Sequence, residues 1–301
     1  MSFWKKNGLL FVVFLTGAAV LVVEILAVRI LSPYYGNTIF TVSGVLSVIL
    51  AALSVGYYLG GRLADKHPSE KIFFSIILIS GLLVLLLQLF TIILLPSMGH
   101  SLSMVSGPIV SSLMMFFVPS FLLGMLSPFT IKLQQLRLPE QGVGTISGRI
   151  FFWSTLGSIL GSLMTGFVLI PNLGVNEILI YTGSLLVLLG LLPILKLGFK
   201  KKIIAQIILL IGLVVVTTSS IVASEEQEEN VLYIKDGIYQ KIMIYDTEDA
   251  YGRGVRIMQQ DRSPSSAMFL DSDELVFEYS KYYPAYQFFK PDLKEALIIG
   301  G

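Results

Sequence analysis

Cysteine is absent from the 301 residues. That excludes disulfides and thiolate metal sites and leaves the chain silent on its redox compartment. The two histidines, His67 and His100, both read as loop residues, which makes a His-based metal site a poor expectation. Charge is scarce as well: 14% of residues carry one, where a soluble domain carries about 25%. Acidic residues are scarcest at the start. Residues 1–223 hold five of the twenty, namely Glu24, Asp65, Glu70, Glu140 and Glu177. A net charge of +1 says nothing about nucleic acid, no basic run sits outside short loops, and no nucleic-acid partner is expected. What fills the chain is apolar: 54% hydrophobic residues and a mean hydropathy of +0.79. The shift in charge divides it into a membrane part, residues 1–223, and a small soluble part, residues 224–301.

A helix crossing the hydrocarbon layer needs about 20 apolar residues. Seven stretches satisfy this: 8–31, 39–61, 72–95, 107–131, 149–170, 176–195 and 203–221. The fold class expected is therefore mainly α, a polytopic membrane protein with a β-rich or α+β segment at its C-terminus. Lys5 and Lys6 precede the first stretch as in a signal peptide. That stretch exceeds an ordinary signal core and further spans follow, so it reads as an uncleaved first helix. Pro119 and Pro128 predict a break or shift in the fourth span.

Cytoplasmic loops collect Lys and Arg. Lys5 and Lys6 precede the first span; Arg62, Lys66 and Lys71 lie between the second and third. Lys132, Arg137 and Arg149 lie between the fourth and fifth, and Lys196, Lys200, Lys201 and Lys202 between the sixth and seventh. The alternate loops, 32–38, 96–106 and 171–175, hold neither residue. This places the N-terminus in the cytoplasm of a cell-membrane protein, and seven crossings put residues 224–301 outside. In a chain without native cysteine, cysteines introduced at Ser224 and Ser272 are expected to react with an impermeant maleimide from the outer side only. Labelling from the cytoplasmic side alone would reverse the topology.

Small residues let helices approach closely in lipid. Gly56 with Gly60, and Gly157 with Gly161 beside Ser158 and Ser162, read as packing faces. Glu24 is an ionisable group inside a span, which is costly and usually paired or functional. It serves either an interhelical hydrogen bond or a polar site. Arg29, about 140° round the same helix, is a poor partner for it and is expected to snorkel. "GGRLADK" at 60–66 resembles the tight loop between the second and third helices of major-facilitator transporters. There, Asp65 would cap the helix or pair with Arg62.

After the charged linker "SEEQEEN" (224–230), "VLYIKDGIYQKIMIYD" shows two β-rich runs around the turn Asp236-Gly237. "GRGVRIMQQD" reads as a third strand. "DSDELVFEYSKYYPAYQFF" (271–289) reads as a helix, acidic in its first turn, and 295–299 as a parallel-type strand running into Gly300 and Gly301.

These residues resemble the start of spermidine synthase, an aminopropyltransferase on a Rossmann-like fold. "GIYQKIMIYD" is similar to the family's "S-x-YQ-x-I" strand and "VRIMQQDRSPSS" to "R-x-L-x-LDG-x-x-QS". "DELVFEY" is similar to "DE-x-x-YHE", and "ALIIGG" to the strand entering "GGGDG". The spans add to the likeness: "VEILAVRILSPYYGNTIF", "GYYLGGRLADK" and "GRIFFWSTLGSILGSLMTGFVLIPNLG" together resemble proteins in which a multi-span module precedes such a domain.

The resemblance implies a nucleoside–amine pocket lined by Tyr239 and Gln240 at YQ, Asp261 at LDG and Glu278, with Gly300 and Gly301 opening the cofactor turn. Ser265 stands at the family's glutamine, Phe277 and Glu278 at its Tyr and His, and Tyr283 at a second His, departures that bear on putrescine specificity. Tyr239, Phe277 and Tyr279 also read as ordinary aromatic packing. No tightly bound cofactor is expected; decarboxylated S-adenosylmethionine or S-adenosylmethionine would be the co-substrate and a small amine the acceptor. The family's catalytic aspartates are not matched, so the chain reads as truncated at its first Rossmann strand and inactive alone. A second copy or a separate chain would then complete it. The rival readings are a transporter-like or solute-binding module and a membrane scaffold. One tension stands: the donor is made in the cytosol, while the charge bias sets the soluble part outside.

Overall fold

The computed structural model describes residues 3–196, 212, 230–237 and 240–289. The chain forms two compact units, Met1–Ser220 and Ile221–Gly301. The seventh stretch apart from residue 212, the strand expected at 295–299, Tyr239, Gly300 and Gly301 lie outside the described residues.

Long apolar runs give long helices, because in lipid every backbone N–H and C=O must be satisfied within its own segment. The helices are α1 (Phe3–Tyr35), α2 (Ile39–Lys66), α3 (Glu70–Ser101), α4 (Gly107–Arg137), α5 (Val143–Met164) and α7 (Val175–Lys196). α5 is prolonged by a π turn, Thr165–Leu169, and the short α6, Ile170–Asn172. Pro171 has no N–H to give the preceding turn, and the chain takes the wider π winding just before it. Six of these helical segments are long and apolar enough to cross a membrane.

Three expectations are corrected here. His100 is not in a loop but in α3. Pro119 and Pro128 do not break α4, which is helical throughout. Four residues before Pro128 stands Gly124, packed against the Leu53 carbonyl of α2. "GGRLADK" is not a loop but the last turns of α2, and the connection is His67–Ser69. Asp65 pairs with Lys132 of α4 at 2.8 Å, while the Arg62 guanidinium lies 4.3 Å over the Tyr58 ring.

The helices pack out of sequence order: α1 on α5, α2 on α4, α3 on α7. Small residues mark each contact. A Cβ at Gly157 would fall on the Phe14 carbonyl oxygen, and one at Gly56 on that of Phe121; one at Gly190 would stand 2.6 Å from the Leu78 nitrogen. The core runs through Leu26 and Leu31, Ile49, Phe73 and Ile77, Phe116 and Phe129. At one end Asp65 meets Lys132 and Glu70 meets Arg137, which joins the two Lys- and Arg-bearing loops. Elsewhere the Tyr35 hydroxyl and the Ser111 hydroxyl share a hydrogen bond of 2.7 Å, and Gly107 leaves room for the Tyr35 ring.

The second unit holds an antiparallel meander in the order β1-β2-β3-β4: Val231–Asp236, Lys241–Glu248, Gly254–Gln260 and Ser263–Phe269. β4 was not evident in the sequence, since Ser263–Ser266 lacks β-formers and contains Pro264. As an edge strand it tolerates proline, and its pairing with β3 is irregular between Met258 and Gln259, opposite Pro264. The helix expected over 271–289 is shorter. A 3-10 segment covers Glu278–Ala285 and one α-turn follows at Tyr286–Phe289, while 271–274 is not helical and binds Arg253 through Asp271, Ser272 and Glu274.

Across β2 and β3, the Arg256 guanidinium donates to both carboxylate oxygens of Asp246, at 2.8 and 2.9 Å. That bond holds the Asp246 carboxyl below its ordinary range. A depressed carboxyl stabilises the fold fully above the ordinary carboxylate range and loses that contribution as pH falls through its folded value. Hydrogen exchange of the β2–β3 amides, corrected for intrinsic rate, should therefore show opening become easier on acidification below that range. Arg256→Gln should flatten the dependence; an equal slope would assign it to other groups.

Candidate functional site

In the helical unit, Glu24 projects from α1 into a cleft of ≈ 160 Å³. α1 contributes Thr16, Gly17, Val20, Leu21 and Glu24 to its wall, and α2 contributes Leu50, Leu53 and Tyr57. Leu123, Gly124 and Ser127 come from α4, and Ser154 and Ser158 from α5. Along one side of the cleft α1 and α5 are in close contact: the Ser158 hydroxyl donates to the Gly17 carbonyl at 2.9 Å, and a Cβ at Gly17 would strike the Ser154 carbonyl. Seated there, α5 turns its two serines toward α1. Among the described residues no hydrogen bond or ion pair reaches the Glu24 carboxyl. Arg29 does not line the cleft. Thr16, Tyr57, Ser127 and Ser154 were not singled out from sequence; the only signal is the i, i+4 spacing of Ser154 and Ser158, which puts both hydroxyls on one helix face.

In the meander, Asp261 sits in the tight β3–β4 turn at φ 48. It is buried, and its Oδ1 accepts from the Lys241 backbone N–H at 3.0 Å. Its own N–H donates to the Lys241 carbonyl at 2.9 Å, and the Gln259 amide nitrogen donates to its carbonyl at 2.7 Å. Gln240 immediately precedes Lys241, and its carbonyl accepts from Gly237 at 3.0 Å, closing the β1–β2 turn. The structure thus brings the Gln240–Lys241 corner against Asp261. Glu278 is elsewhere. It is exposed, bonds Lys281 at 2.7 Å, and lines a surface depression with Arg253 and Tyr251, at the other end of β3, roughly 20 Å away by strand rise. Phe277 and Tyr279 stack with ring centroids 5.5 Å apart, as ordinary packing would have it.

No group of three or more metal-ligating side chains occurs among the described residues. Comparison with protein-family models, curated proteins and solved structures finds no match.

Proposed function

We propose that the chain is a multi-pass membrane member of the spermidine synthase family, with its N-terminus in the cytoplasm. In this reading residues 230–289 form the β-rich lead into an aminopropyl-transferring domain. The observation that carries it is the corner where the β1–β2 turn meets the β3–β4 turn. Two segments that resemble the family's YQ strand and LDG turn lie 20 residues apart in sequence, yet there the Lys241 N–H donates to the Asp261 carboxylate and the Asp261 N–H donates to the Lys241 carbonyl. Gln240 and Asp261 would stand at one wall of a nucleoside–amine pocket, the amide able both to donate and to accept. The transfer itself breaks the sulfonium C–S bond of decarboxylated S-adenosylmethionine, forms a C–N bond to an amine such as putrescine, and releases methylthioadenosine and a proton. A base must take that proton. Asp261 is engaged at Lys241, so the base and the groups holding the donor come from outside the described residues, in this chain, a second copy or another chain.

The test is enzymatic. Purified chain, given decarboxylated donor and putrescine, supplies the reference rates of spermidine and methylthioadenosine formation. A fusion joining Gly301 to the remainder of a spermidine synthase catalytic domain should form both, and Gln240→Ala should cut the rate about tenfold, as loss of one positioning hydrogen bond does. A folded fusion without turnover would defeat this reading.

A further inference from the structure

The midpoints of four spans fall at Leu21, Ala52–Leu53, Leu122 and Gly157–Ser158. Each is at, or within two residues of, a residue lining the Glu24 cleft. The cleft therefore lies at mid-depth, where a carboxylate is most costly to keep. Its walls are of two kinds: hydroxyls from Thr16, Tyr57, Ser127, Ser154 and Ser158, and alkyl groups from Leu21, Leu50, Leu53 and Leu123.

We propose that this cleft binds a primary ammonium group on a short alkyl chain, with the Glu24 carboxylate as counter-ion. One carboxylate balances one positive charge, and a divalent ion would leave an uncompensated charge in hydrocarbon. An ammonium carries three N–H donors, which a carboxylate and flanking hydroxyls accept. The leucine side chains take the alkyl part, which a bare alkali cation would leave unused. Size agrees: one water needs about 10–15 Å³ of such room, so ≈ 160 Å³ admits an ammonium and a few methylenes. Leu50 and Tyr57, 57% and 48% exposed, form its rim at the bundle surface. This site is independent of the transferase proposal, whose success or failure at the meander does not bear on it.

The experiment uses the full chain in lipid nanodiscs and radiolabelled ethylammonium in equilibrium dialysis at neutral pH. Saturable binding of one equivalent per chain is expected. Glu24→Gln, close in shape, should weaken it at least about tenfold, the loss of a charge-assisted bond. Ser127→Leu keeps the carboxylate but fills the cleft and should weaken binding similarly, whereas Arg149→Gln, outside the cleft, should not. Thermal midpoints of all variants report folding, and the two cleft variants test the site independently should one be unstable. Absence of saturable binding, or equal binding by wild type and a folded cleft variant, would overturn the proposal. Displacement by sodium at equal concentration would also overturn it, by showing an alkali-cation site.

Discussion

Gly157→Val should lower the thermal midpoint of the helical unit in detergent by roughly 6–12 °C, the shift that about 3 kcal/mol of overpacking produces in a domain of this size. The first atom of any side chain there meets the carbonyl oxygen and α-carbon of Phe14, which are backbone and cannot rotate away. The helices must separate, and the Ser158 to Gly17 hydrogen bond is stretched with them. Gly148 lies on the same helix with nothing within 4 Å of an added Cβ. Gly148→Ala should leave the midpoint unchanged or raise it slightly, since alanine is the better helix former by about 1 kcal/mol. Thermal unfolding followed by circular dichroism reads both. An unchanged midpoint for Gly157→Val would show that α5 is not seated on α1 as described.

Asp261→Ala should cost the meander about 2 kcal/mol, because the Lys241 N–H loses a buried acceptor and alanine tolerates φ 48 less well than aspartate. Asp261→Gly regains the backbone freedom but not the acceptor and should cost about 1 kcal/mol. Asp261→Asn keeps an oxygen in place and should cost least. Opening free energies from hydrogen exchange of β2 to β4 amides in the full chain would rank the three. Equal values for alanine and asparagine would remove the side-chain bond from the account. The outcome also bears on the transferase proposal: a residue that fixes the corner is a positioning residue there, whatever substrate the wall meets.

Much of the helical unit was legible because apolar length alone reports it, and the bundle's glycines were legible as contacts. Their partners were not. Nothing in "GSILG" says that it meets Phe14 and Ala18 of a helix more than a hundred residues earlier. The proline and "GGRLADK" expectations went astray for a related reason. Both treat local propensity as decisive, whereas in lipid an unsatisfied backbone outweighs it, and α4 and α2 stay helical through Pro128 and Gly60-Gly61. Glu24 was legible as unusual, but the hydroxyls around it come from separate spans. In the meander, alternating β-formers disclosed three strands. β4 was hidden because an edge strand can be built from serine and proline when its neighbour supplies the pairing.

The out-of-order pairing of the helices also constrains how the protein is made. α1 leaves the ribosome first, yet the helix it rests against, α5, begins at Val143. For more than a hundred residues of synthesis, at about 5–20 residues per second, α1 waits without the Ser154 and Ser158 contacts at Gly17, and the Glu24 cleft lacks its α5 wall. The lone acid is an insertion cost of about 3 kcal/mol on translocon scales. It is offset by the rest of the span, whose hydropathy of 2.7 is among the highest of the six. Assembly must then proceed by lateral docking of spans already inserted. Agents that shield nascent polar spans in the bilayer would act on α1 during this wait, before α5 arrives.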